Sequence, residues 1–196
     1  MIPVLTLSRM YPLFIISLCL VVSAGCLSPG QDDQGQKILV AVTIPPQEEV
    51  VREIGDGRVD VLVLVPPGSD PHIYEPSPGL VARASAADLY LTLGTGLFPV
   101  EDTLADRLRA MNPALVVVNT SAGVDYLGSG DRRDPHVWLS LKNARIMAGN
   151  IRDALILADP GYEEMYRENA DRYIARIDDL DRNISADLRS EDPGMI

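Results

Sequence analysis

From residue 38 onward, short apolar runs alternate with amphipathic stretches. Residues 38–43 (ILVAVT), 59–65 (VDVLVLV), 89–93 (LYLTL) and 115–119 (LVVVN) each read as a strand. Their near-continuous apolar character, without strict polar alternation, fits strands covered on both faces. Between them the pattern changes to helix. Residues 45–54 (PPQEEVVREI) begin with proline and end at Gly55, the usual helix punctuation. Ser77-Pro78 reads as an N-cap with proline at the first helical position, opening a short helix to about Ser85, and residues 101–111 form another. Strands alternating with helices over short connections predict right-handed crossovers and an α/β fold with a parallel four-stranded sheet flanked by helices.

The periodicity changes after residue 140. Residues 141–158 read as one helix, and Asp159-Pro160 opens the next. From Tyr162 the apolar positions Met165, Tyr166, Tyr173, Ile177, Leu180, Ile184 and Leu188 form a stripe lasting to about Arg189. At 1.5 Å per residue this helix spans roughly 40–45 Å, longer than one small lobe is wide. The stripe from Tyr173 through Ile177 and Leu180 to Ile184 is therefore expected to lie partly uncovered.

The amino-terminal part belongs to a different class. Residues 1–25 carry one charge, Arg9, then an apolar run over 11–22 that is too short for a stable membrane span. This is the pattern of a signal peptide. The small residues Ser23-Ala24-Gly25 before Cys26 resemble a lipobox, which predicts a lipidated Cys26 as the mature amino terminus. Residues 26–36 then form a polar tether. The only other cysteine, Cys19, falls in the leader, leaving none for an internal disulfide or a thiolate metal site. The expected organisation is a signal peptide over 1–25, lipidated Cys26 and tether over 26–36, an α/β lobe over 37–158, a long helix over 159–190, and an end at 191–196. The location that follows is the outer face of the cytoplasmic membrane, periplasmic or extracellular.

Charge narrows the choice of partners. With 28 acidic against 17 basic residues the chain carries a net charge of −11. Nucleic-acid binding needs clustered Lys and Arg and is not expected here. An acidic field suits a cation.

The candidate chemistry lies in the histidines. There are two, His72 and His136, and both stand in the tripeptide Asp-Pro-His, at 70–72 and 134–136. Each is followed two positions later by an aromatic residue, Tyr74 or Trp138. Neutral imidazole is a favoured ligand for zinc and other first-row divalent ions. Pro71 and Pro135 stiffen the backbone before each ring. Asp70 and Asp134 can accept a hydrogen bond from a ring nitrogen or from loop amides, or could ligate directly, as could Glu75; carboxylates beside proline are also common turn-formers. Two histidines leave a zinc site incomplete, since zinc takes at least three protein ligands. No HExxH, GxSxG, Walker or GxGxxG pattern is present, and Gly94-Thr95-Gly96 reads as a turn.

The stretches VPPGSDPHIYEPSP, SAADLYL, GTGLFPVEDTL, DPHVWLSLKNARIMAGNI and DPGYEEMYRENADRYIARIDDLD together resemble the TroA-like, zinc- or manganese-type substrate-binding lipoproteins of ABC importers. The likeness runs from about residue 38 to 188. It implies one lobe of a two-lobed periplasmic-binding-protein-like fold followed by a long linker helix, with the metal held between lobes. It further implies His72 and His136 as metal ligands, Zn2+ or Mn2+ as the transported ion, a membrane permease as partner, and no enzymatic activity. In the family the remaining ligands come from a second lobe, which is absent from this sequence, so a truncated chain that binds its ion weakly is expected. Relatives tend to carry an acidic residue and an aromatic where this chain has Phe98 and Val100. An extracytoplasmic metal-dependent hydrolase and a lipid-anchored surface adhesin are the competing expectations.

Overall fold

The computed structural model describes residues 36–96 and 98–191. The expected leader, Cys26 and nearly all of the tether lie outside them. Four strands, β1 (Ile38–Val42), β2 (Val59–Val63), β3 (Leu89–Thr92) and β4 (Val116–Asn119), form one sheet in the order β2-β1-β3-β4. Every pairing is parallel. Five helices accompany them: α1 (Pro45–Gly55), α2 (Pro78–Ala84), α3 (Pro99–Met111), α4 (Leu141–Ala158) and α5 (Glu163–Glu191).

Successive strand residues face opposite sides of the sheet, and both sides are covered. Val40, Val42, Leu89 and Leu91 pack with Val51 and Ile54 of α1, Ile151 and Leu155 of α4, and Tyr166 and Ala170 of α5. Ala41, Leu62 and Tyr90 pack on the other side with Val81 of α2 and with Leu104 and Leu108 of α3. This double cover explains the continuous apolar strands.

Differences from the expected boundaries are small and have local causes. Helix α3 begins at Pro99, two residues before the expected start, because proline suits the first helical turn and places Glu101 and Asp102 there. Beyond β2 the ladder still runs on: Leu64 and Val65 donate to the carbonyls of Val42 and Thr43, both at 2.9 Å. Ser77 caps α2 by accepting from the Leu80 amide at 3.3 Å.

The apolar stripe of α5 differs from expectation in its first half. The helix has 29 residues. Ile177 is buried and Tyr173 half-buried, because α1 and α4 extend along the helix that far. Exposure starts one turn later, at Leu180, Ile184 and Leu188. Tyr173 and Ile177 therefore belong to the core rather than to an uncovered face.

At the amino-terminal edge of the sheet, α5 is tied down by a polar cluster. Arg58 pairs with Asp159 at 3.1 Å, and the Tyr166 hydroxyl donates to the same carboxylate oxygen at 2.9 Å. The Arg58 guanidinium lies 3.7 Å from the Tyr162 ring centroid. Burial first, then the neighbouring carboxylate, pushes the Tyr166 phenol above its ordinary range.

Candidate metal site

Both Asp-Pro-His segments follow carboxyl ends of strands, the edge where ligands collect in open parallel sheets. In each, the aspartate side chain accepts the backbone N–H of the histidine two residues on, at 2.9 Å in both cases. This Asx turn, stiffened by the intervening proline, is the local geometry that the repeated tripeptide specifies. Turn-forming is thus the role common to Asp70 and Asp134.

The chain brings the two turns together. The imidazole centroids of His72 and His136 lie 5.9 Å apart, with their planes at 67°. Two imidazoles on one tetrahedral zinc, each nitrogen about 2.0–2.1 Å from the metal, have centroids roughly 5 Å apart. The observed spacing exceeds that by about 1 Å. Both rings are exposed and stand above a buried apolar cluster of Ile44, Val65, Leu93, Phe98, Val124, Val137 and Met147.

The rings are held by different means. Asp134 Oδ1 lies 2.6 Å from His136 Nδ1 as well as accepting the His136 amide. A proton shared there stays on Nδ1 and leaves the Nε2 lone pair for a cation. The backbone amide first, then the ring contact, holds the Asp134 carboxyl below the usual carboxylate range. Among the described residues no such bond reaches the His72 ring. It rests instead on Phe98, centroid to centroid 4.7 Å. Trp138 meets His136 edge-on at 5.2 Å and Phe98 at 6.2 Å, so the four rings form a closed circuit.

Hollows open on either side of this circuit. One of about 270 Å³ is lined by His72, Tyr74, Glu75 and Val100, and another of about 310 Å³ by His136, Asp134, Asp125 and Leu139. Asp125 is engaged by Lys142 at 2.5 Å, which lowers its carboxyl pKa. Tyr74 walls the first hollow and packs on the cluster below, without a ring contact to His72. Among the described residues, no group of three His, Cys, Asp or Glu side chains is placed to hold a metal ion.

A third element of the site was not legible in the motifs. Gln47 of α1 accepts the amides of Thr43 and Ile44 and donates to the Leu91 carbonyl and to Thr120 Oγ1, stitching the strand ends together beneath the histidines. Beside it lies Glu101, buried at 3% exposure, whose carboxylate accepts from Thr43 Oγ1 and from the amides of Leu93 and Gly94. Burial pushes the Glu101 carboxyl up, against the pull of these three hydrogen bonds. The available signal was an acidic residue one turn into an amphipathic helix, which reads equally well as a surface position.

The family described as ZnuA, zinc-uptake complex component A periplasmic, matches residues 40–193. The manganese ABC transporter substrate-binding lipoprotein PsaA of Streptococcus mitis is 31% identical over 185 residues, covering 90% of this chain and 60% of that protein. The high-affinity zinc uptake system protein ZnuA of Bacillus subtilis strain 168 is 30% identical over 190 residues, 87% of this chain and 59% of that one. A crystal structure of ZnuA superposes with a TM-score of 0.69 at 32% identity, covering 75% of this chain and 57% of its own. The chain thus spans about 60% of the length of the curated relatives it matches.

Proposed function

Because this chain belongs to the family of periplasmic zinc-uptake component A proteins, we propose that it captures a divalent transition metal ion outside the cytoplasm and passes it to an ABC importer. His72 and His136 are the proposed ligands, His136 through Nε2, the ring nitrogen not engaged by Asp134. The observation that carries this reading is the meeting of two histidines from separate loops, with centroids 5.9 Å apart. The chemistry asked of the site is reversible capture, not turnover. Neutral nitrogens, an acidic surround and exposed rings suit an ion that must enter and leave.

Zinc and manganese are both compatible with imidazole, and named relatives include carriers of each. The described residues supply two nitrogens, and zinc takes three or four protein ligands. The remaining coordination positions fall to water or to protein outside the described residues. With water alone, binding is weak and rapidly exchanged. Lipidation of Cys26 would hold the protein at the outer membrane face beside its permease, in keeping with the lipoprotein names of relatives.

Titration with zinc chloride and manganese chloride tests the ligands. His72→Ala and His136→Ala should each remove most of the binding, and unchanged titrations in both would reject the site. Fractionation tests the anchor separately: Cys26→Ala should release the protein from membranes, and equally firm retention would exclude lipidation there.

A further inference from the structure

Glu101 is a buried acid to which metal capture alone gives no task. Its three hydrogen-bond partners are all donors. Oε1 receives the Thr43 hydroxyl at 2.5 Å and the Leu93 amide at 2.6 Å, and Oε2 receives the Gly94 amide at 2.9 Å. Its own backbone N–H donates to the Phe98 carbonyl at 3.0 Å. One residue thereby ties the end of β1, the exit from β3 and the residue whose ring lies against His72. The other titratable groups facing this cluster are Tyr90, whose hydroxyl is 3.3 Å from Thr43 Oγ1, and the neighbouring Asp102.

A carboxylate is costly to bury, and hydrogen bonds to it offset part of that cost. A simple brace between strand ends needs no charge, as Gln47 shows beside it. Two of the three donors are backbone amides, one at each carboxyl oxygen, and they call for a group that can accept at both. An amide in the same place would turn an N–H towards a donor.

We propose that Glu101 is a positioning residue of the metal site: its carboxylate fixes the Leu93 and Gly94 amides at the exit from β3, while its backbone starts the helix at Phe98, and together these set the Phe98 ring against the His72 imidazole. The effect on affinity rests on the metal-site reading above. The ring placement does not, being a property of the metal-free chain.

The test uses Glu101→Gln, Phe98→Leu and the double variant. Imidazole resonances of both histidines are followed in the metal-free protein, and zinc chloride is then titrated. Glu101→Gln should move the His72 resonances, leave those of His136 in place, and lower zinc affinity by about 10-fold, the low end for groups that orient a ligand. Phe98→Leu should move His72 in the same sense, and in that background Glu101→Gln should add little. A His72 resonance unmoved by Glu101→Gln, or moved equally with and without Phe98, overturns the proposal even if the melting temperature falls. Should Glu101→Gln fail to fold, Glu101→Asp keeps the charge with a shorter reach, and His72 unmoved in that variant overturns the proposal too. Zinc binding that survives loss of both histidines would reject the metal site instead, with the resonance data still deciding the role of Glu101.

Discussion

The two Asp-Pro-His loops share a tripeptide, an Asx turn and a hydrogen-bond length, yet they hold their imidazoles differently. At 134–136 the aspartate grips both the backbone and the ring of His136. At 70–72 it grips the backbone alone, and the ring of His72 leans on Phe98, which arrives from the far side of β3. One ring is oriented by its own loop through a directional charge-assisted contact. The other is oriented by apolar packing and depends on Phe98, 26 positions away. A repeated motif therefore fixes where the backbone turns, while the neighbours decide which way the side chain points.

Removing each aspartate should expose this asymmetry most strongly. Asp134→Ala is expected to weaken zinc binding by about 10–100-fold, as for groups that orient a ligating histidine. Asp70→Ala should cost clearly less, since its carboxylate does not reach the ring. Isothermal titration of both variants decides the matter, and equal losses would mean that the turn alone matters.

The His72 half should be the more sensitive to a distant backbone change. Gly94 has φ of +65°, and a Cβ there would stand 2.1 Å from the Asn119 side chain. Gly94→Ala is expected to cost about 1–3 kcal/mol in denaturant unfolding, the range for a strained backbone position. Its spectral changes should reach Phe98 and His72 before His136.

Each loop leads into a helix capped by serine, which permits a finer comparison. Ser77 accepts from Leu80 at 3.3 Å and Ser140 from Asn143 at 3.5 Å. Ser77→Ala should lower stability by about 1 kcal/mol. Ser140→Ala should lower it less, because the bond is longer and α4 is anchored along its length by Met147, Ile151 and Leu155. Thermal melts of the pair rank them.

The smallest effect concerns pH. Burial raises the folded-state value of Glu101 above its unfolded value, so its stabilising contribution is complete below about 4.3 and is lost as pH rises through the folded value. Glutamine does not titrate. Wild type should therefore gain on Glu101→Gln as pH is lowered through that window, and a stability gap constant with pH would show that the carboxyl is not raised.

Much of the fold was legible in the sequence because it is written in short-range terms. Apolar runs of five to seven residues, with Pro or Gly close by, locate the four strands of the described residues. Ser77-Pro78 and Asp159-Pro160 mark helix entries within a few residues of where they occur. The Asp-Pro-His turns are local as well, spanning three residues each.

What the sequence by itself determined, then, is the order and type of the elements, the parallel sheet, and the two repeated Asp-Pro-His turns. Tertiary structure alone decided the depth at which each side chain sits. Periodicity could not say that α1 and α4 reach far enough along α5 to bury Ile177 and leave Leu180 exposed. Nor could it say that Glu101 turns inward, where it meets Thr43, 58 residues away, or that Phe98 is the ring beneath His72. The physical reason is common to all three. Hydrophobic period and turn chemistry are properties of neighbours along the chain, whereas burial and ring orientation depend on which distant elements the packed sheet brings alongside.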